Sequence, residues 1–499
     1  MNKKWEYKGE KIRNMLLANA RKKDLDVLYI ICTSIKTTYS SIEIKTKITY
    51  RTIKAIIKRL NENIYNAFEL EGFIISNNKG EVFINSKFIS EKFRVFFSLR
   101  LYWYKDSSLL KLLTLIVSEG EITRERAADE LYLTESGLNK FLKKINQYLK
   151  LFSLRISSNR GVLTFSGDEV IIRNFLFKYL YYTYLNLEWP FRKIDIHEIE
   201  KISDELFIYN EIYFSDSRSR AFSLFVIILK NRYRAGKYIK SIPDNLIEIL
   251  EVLHSKRESS ILKSNFEESI PDQYKKSEAA LIDLFFRMYV PEIDSEEVQN
   301  EIGMIFSSLD NRTCQLMSKI ITSLDNQFIL NKDDKKNIRI YQLVLFVSIY
   351  TVFNTSLVPF IYMHFPKPTY HLNTNDNIMK VIKSVVDKTG NLSKERIDIV
   401  SSFLYSLYIT HFHQKVCIYL EFSKDIAASY YVKNRIRSIY NNENIIFVSN
   451  FKVADLIVTD TYDIKKDSEK FFFLLSTNDE KGWKDLIFDI QNLVMEKIF

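Results

Sequence analysis

Thr134-Glu-Ser-Gly-Leu-Asn-Lys-Phe-Leu-Lys-Lys-Ile145 reads as one amphipathic helix. Its apolar residues Leu138, Phe141, Leu142 and Ile145 fall at i, i+3, i+4, i+7 and make a single buried stripe. The opposite face offers Ser136, Asn139, Lys140, Lys143 and Lys144. The pattern occurs earlier in Thr49-Tyr-Arg-Thr-Ile-Lys-Ala-Ile-Ile-Lys-Arg-Leu60, where Ile53, Ile56, Ile57 and Leu60 match that stripe position for position at an offset of 85. Here Thr49 is placed to cap the helix, and Arg51, Thr52, Lys54, Lys58 and Arg59 lie off the stripe.

The flanks repeat as well. Before the later helix, Ser107 to Ser118 and Thr123 to Leu131 read as two helices. After it, Leu154-Arg-Ile-Ser-Ser-Asn-Arg-Gly-Val-Leu-Thr-Phe165 reads as a hairpin with Asn159-Arg160-Gly161 at the tip. Before the earlier helix stand a short helix, Asp24 to Cys32, and a polar turn. After it, Phe73-Ile-Ile and Val82-Phe-Ile flank a basic tip at Asn77-Asn-Lys79-Gly80. Helix, helix and hairpin twice over predict tandem winged helix-turn-helix domains, over residues 1–88 and 89–168.

Charge follows the repeat. Residues 1–170 hold 30 Lys and Arg against 19 Asp and Glu, while the whole chain holds 72 against 62, leaving 42 against 43 in the remainder. A local cationic surface is what a polyanion needs, because binding releases its condensed counterions. Duplex DNA is therefore the partner expected at the first third. In a winged unit the last helix enters the major groove and the wing touches phosphate or minor groove. On that geometry Arg51, Thr52, Lys54, Ser136, Asn139 and Lys140 fall near base edges. Lys58, Arg59, Lys143 and Lys144 fall toward phosphates, and Lys79 and Arg160 sit at the wing tips.

The rest of the chain divides by pattern. Residues 169–408 are dominated by long apolar helical runs, such as Val170 to Leu187, Phe222 to Arg232, Ala280 to Tyr289 and Ile340 to Phe353. Breaks near Asp216, Pro243, Ser255 to Lys276 and Pro366-Lys-Pro368 predict two bundles, 169–278 and 279–408. From residue 409 the pattern turns to strand and helix alternation. Val416 to Leu420, Asn444 to Val448, Ala454 to Val458 and Phe471 to Leu475 are strand-like, with helices at Asp425 to Tyr440 and Asp479 to Lys497. This predicts a small α/β domain with a mostly parallel sheet. The fold class expected for the whole is thus mainly α.

Several function classes recede. Only 11 glycines leave few places for backbone to wrap a nucleotide, and no cofactor is expected. Cys32, Cys314 and Cys417 are odd in number and far apart, which predicts reduced thiols in a cytoplasmic protein. The opening Met-Asn-Lys-Lys-Trp-Glu-Tyr lacks the apolar run of a signal peptide. Ile340 to Met363 is uncharged, but its Gln342, Ser348, Thr351, Asn354 and Pro359 predict a buried helix rather than a membrane span. His411 and His413 near Cys417 lack the second cluster that zinc requires, so no metal is expected.

The order of parts resembles the Mga/AtxA group of virulence and global regulators of low-G+C Gram-positive bacteria. The likeness also rests on Ile156-Ser-Ser-Asn-Arg-Gly-Val-Leu-Thr-Phe-Ser-Gly-Asp-Glu169 and on Asn231-Arg-Tyr-Arg-Ala-Gly236. The second segment is similar to a signature of the helical PTS-regulation domain (PRD). The resemblance implies two PRDs, a C-terminal domain like the EIIB component of the sugar phosphotransferase system, and dimers or higher oligomers formed through the C-terminal half. It also implies control through histidine phosphorylation by a phosphocarrier protein. Lys237 stands where related segments often carry His, which excludes that position. His197, His254, His364 and His371 are the remaining candidates. EIIB enzymes present a Cys just after the first strand. Here the loop is Glu421-Phe-Ser-Lys-Asp425 and Cys417 lies within the strand, so an interaction module rather than an enzyme is expected. An RNA-binding antiterminator and a phosphotransferase-type enzyme are the rival functions. The first would need an N-terminal β-rich RNA module, the second the missing Cys loop.

Overall fold

The computed structural model of the chain describes residues 13, 16–191, 194–201, 215–255, 270–290, 293–328, 335–353, 376–390, 392–408, 415–422, 426–440, 444–461, 470–474 and 476–498. These residues group into two compact units. One is drawn from Met1–Gln315 with Val344–Tyr370, the other from Leu316–Leu343 with His371–Phe499.

The first unit opens with two winged helix-turn-helix copies. In copy one, α1 (Asn19–Thr33), β1 (Thr37–Thr38), α2 (Tyr39–Thr46) and α3 (Tyr50–Phe68) lead to the hairpin β2 (Ile74–Ser76) and β3 (Glu81–Ile84). A linking helix α4 (Lys92–Tyr104) precedes copy two. There α5 (Ser108–Glu119), β4 (Ile122–Thr123), α6 (Arg124–Leu131) and α7 (Glu135–Leu149) lead to β5 (Arg155–Asn159) and β6 (Val162–Ser166). Each wing is a three-stranded antiparallel sheet, in the orders β1-β3-β2 and β4-β6-β5.

The offset of 85 holds at the level of hydrogen bonds. Thr38 and Thr123 cap the second helices, accepting from Ser41 N at 3.1 Å and Arg126 N at 3.3 Å. Asn61 and Asn146, inside the third helices, each clamp a wing strand with both ends of the amide. Asn61 binds the backbone of Ile74 at 2.8 and 2.9 Å, and Asn146 binds that of Ile156 at 2.8 and 2.7 Å. Asn146→Ala leaves the Ile156 N–H and C=O to partial hydration. It is expected to cost about 1 kcal/mol and to raise hydrogen exchange of the β5–β6 amides before that of α7.

Copy one departs from expectation where a polar turn was read. Tyr39-Ser-Ser-Ile-Glu-Ile-Lys-Thr46 is the helix α2, although only Tyr39 and Ile42 of it are buried. Two apolar contacts in eight residues make too faint a stripe to register as helical, and the Thr38 cap and packing on α1 and α3 decide the matter. The short strands β1 and β4 were also invisible, since two residues carry no period. Phe141, placed on the stripe, is only half-buried. Thr49 stands at the N-terminus of α3 but makes no backbone cap; its hydroxyl meets that of Thr52 at 2.9 Å.

Behind the wings lie α8 (Glu169–Tyr184), α9 (Asp216–Arg234), α10 (Asp244–Ser255), α11 (Asp272–Tyr289) and α12 (Glu296–Ser308). The helices α8 and α9 pack on α5 of copy two. The boundary drawn at 278/279 falls inside the unbroken helix α11, and Glu278 is tied to residues before it. Its carboxylate accepts from Arg173 at 2.6 and 3.1 Å, Tyr233 OH at 2.7 Å and Ile239 N at 2.8 Å. The polar stretch Ser255 to Lys276 invited a cut there, but α11 already begins at Asp272. The signature segment Asn231–Gly236 ends α9. Asn231 donates to Val117 O at 2.8 Å and Ser118 O at 3.3 Å, capping α5 from the neighbouring helix.

Helices α13 (Arg312–Gln327) and α14 (Lys336–Phe353) supply residues to both units. Ile340, Tyr341, Leu343 and Val344 of α14 are buried, and among the described residues no helix is long and apolar enough to cross a membrane. In the second unit α15 (Asp376–Thr389) packs on α16 (Lys394–Tyr408). The buried Asp325 accepts from Tyr408 OH at 2.6 Å and Arg339 Nη2 at 3.0 Å. Next come β7 (Val416–Glu421), α17 (Ile426–Ile439), β8 (Ile445–Phe447), β9 (Leu456–Thr459), β10 (Phe471–Phe473) and α18 (Glu480–Ile498). The strands form one parallel sheet in the order β10-β9-β7-β8. Its core joins Val416, Ile418, Ile436, Val458, Trp483 and Ile490.

Candidate nucleic-acid interface

The third helices α3 and α7 are held by their apolar stripes. Ile53, Ile56, Ile57 and Leu60 are buried in one, Leu138, Leu142 and Ile145 in the other. The stripe leaves the far faces to solvent: Arg51, Thr52, Lys54, Lys58, Arg59, Ser136, Asn139, Lys140, Lys143 and Lys144 are all exposed. The wing tips add Lys79 and Arg160, also exposed. The turn of the second wing runs through Arg160 and Gly161 at φ 47° and 81°. Two successive left-handed residues match the strand twist of a tight hairpin. The turns between second and third helices close on Lys47 and Tyr132, equivalent positions at φ 58° and 53°.

The exposed cations are not alike. Arg51, Lys58, Lys79, Lys140, Lys143, Lys144 and Arg160 make no ion pair among the described residues, so their charge is open to an anion. Arg59, read as a phosphate contact, points its guanidinium at the buried carboxylate of Asp24 on α1, with Nε–Oδ2 at 2.9 Å and a second bond from Nη2 to Oδ1. That hydrogen bond raises the Arg59 pKa and ties α3 to α1. Lys54 lies over the rings of Tyr50 at 4.9 Å and Tyr39 at 5.8 Å. Asn139 accepts from Arg124 Nη2 at 2.6 Å, and Arg124 Nε donates to Glu135 Oε1 at 2.7 Å. Arg124, Glu135, Tyr39 and Tyr50 were not singled out in the sequence. Extending the offset of 85 to the second helices would have paired Tyr39 with Arg124, and within the third helices it pairs Tyr50 with Glu135.

Residues 95–180 match the Mga helix-turn-helix domain. Over that segment the chain is similar to the Mga family of helix-turn-helix proteins. The Mga-type segment takes in most of α4, all of copy two and most of α8. The capsule synthesis positive regulator AcpA of Bacillus anthracis is 25% identical over 244 residues, covering 46% of this chain and 48% of that protein. The match therefore spans about half the length of this curated relative.

The phosphorylation candidates are dispersed. His197 is exposed, with Nδ1 3.2 Å from Glu200 Oε2. His254 ends α10, and its Nδ1 hydrogen-bonds the buried carboxylate of Asp283 on α11. His364 and His371 lie outside the described residues, as do His411, His413 and Ser423 to Asp425 of the loop after β7. Cys32 and Cys314 are buried, and burial pushes both thiols up to about 12, away from nucleophilic chemistry.

Proposed function

We propose that the chain is a cytoplasmic transcription regulator that binds duplex DNA through both winged units. One observation carries this reading: the outer faces of α3 and α7, related by the offset of 85, present lysines and arginines with no ion pair among the described residues. A helix of that width fits the major groove, and lysines along it meet the flanking phosphates. The match to the Mga domain and the similarity to a capsule synthesis positive regulator support it.

In the finer reading, residues 169–278 and 279–408 act as PRDs and 409–499 as an EIIB-like module through which copies assemble. The strand order β8-β7-β9-β10, numbered 2-1-3-4 within the module, supports the last assignment. Phosphotransferase-system control would act on His197, His254, His364 or His371. His254 is the better disposed of the two described, because a carboxylate at Nδ1 holds the proton there and makes Nε2 the nucleophile.

The test is a gel shift of the full chain on duplex DNA and on RNA across a salt series. Lys140→Ala with Lys143→Ala is expected to lower affinity for all sequences and to flatten the slope of log K against log salt by about 2, with an unchanged melting curve. An RNA-only shift would favour the antiterminator reading, and an unchanged slope would remove α7 from the interface.

A further inference from the structure

The offset of 85 places three pairs of residues at one spot, where the second helix meets the third. In copy two they are Arg124, Glu135 and Asn139; in copy one they are Tyr39, Tyr50 and Lys54. Arg124 is largely covered, at 19% side-chain exposure, and its guanidinium bridges Glu135 and the Oδ1 of Asn139. An arginine carries only donors, so the amide of Asn139 must turn its oxygen inward. What it presents outward is the NH2 group. In copy one the rings of Tyr39 and Tyr50 lie 4.9 Å apart with the Lys54 ammonium over them. That cluster holds a point charge and has no fixed hydrogen-bond pattern.

We infer that the two copies divide the labour of recognition: Asn139, oriented by Arg124, reads guanine, while Lys54 on its tyrosine platform holds the backbone without reading bases. The inference rests on the DNA-binding reading above. In the major groove guanine offers two acceptors, N7 and O6, whereas adenine sets a donor beside its N7. A free asparagine suits adenine, accepting with its oxygen and donating with its nitrogen. An asparagine whose oxygen is engaged by Arg124 is matched to the all-acceptor edge instead. Asn139 is the reading residue and Arg124 a positioning residue.

The experiment is selection of bound duplexes from a randomised pool by the full chain and three variants, with thermal melts to verify folding. The wild type is expected to prefer guanine over adenine at one position per site by roughly 5- to 100-fold. Asn139→Ala abolishes that preference alone. Arg124→Ala lets the amide rotate, so adenine becomes tolerated at the same position; a merely structural Arg124 would lower affinity for every sequence equally. Lys54→Ala weakens all sequences alike and leaves the preference profile intact. The inference is overturned if the wild type binds duplex with no guanine-selective position, if Asn139→Ala keeps the wild-type profile, or if Lys54→Ala erases the guanine position. A wild type that retains no duplex even at low salt overturns the DNA-binding reading itself, and this inference with it.

Discussion

Glu278→Ala is expected to destabilise the first unit by about 3–5 kcal/mol, the usual result of removing one partner from a buried ion pair. The carboxylate is fully buried and accepts four hydrogen bonds, two from Arg173 and one each from Tyr233 and Ile239. Arg173 is buried too, and although burial lowers its pKa, Glu278 and Glu169 together raise it. Arg232 joins the same cluster, reaching Glu169 at 2.8 and 2.6 Å. Alanine would leave two buried guanidiniums, Arg173 and Arg232, sharing the single carboxylate of Glu169. The loss should appear as a lower urea midpoint and as faster hydrogen exchange in α8, α9 and α11. Replacing Arg173 and Glu278 together by methionines should cost far less, because no charge is then stranded. A single-variant loss below about 1 kcal/mol would mean that the network carries little stability.

Lys178→Met is expected to act in the opposite direction, stabilising the chain near neutral pH, where the buried ammonium is costly. Lys178 lies in α8 with almost no exposure, and burial holds its pKa down to about 7. Between that value and the ordinary lysine value the unfolded chain binds a proton that the folded chain does not. Stability contributed by this position therefore rises with pH through that window, and the penalty is complete below pH 7. The wild-type minus variant difference should shrink as pH climbs from 7 toward 10. A difference that stays flat over that range would show that the Lys178 ammonium is retained in the folded state.

The third helices were legible because four apolar residues at helical spacing specify a buried stripe regardless of context, and the opposite face is then exposed by default. The hairpin tips were legible from Asn77-Asn-Lys-Gly80 and Asn159-Arg-Gly161, and the parallel sheet from strand runs separated by helical ones. The helix α2 was not, because Tyr39 and Ile42 give it only two buried contacts. Position 278 lies within α11, and only the fold reveals the far partners of Glu278.

Amphipathic period and the duplication at an offset of 85 thus determined the kind of fold and which faces meet solvent. Both are properties of neighbouring residues. Tertiary structure alone decided what each exposed cation does. Arg59 turns inward to Asp24, 35 residues away, Arg124 sets the amide of Asn139, and Lys54 settles on two tyrosines. A side chain's hydrogen-bond partner depends on where distant backbone comes to rest, and no local pattern encodes that.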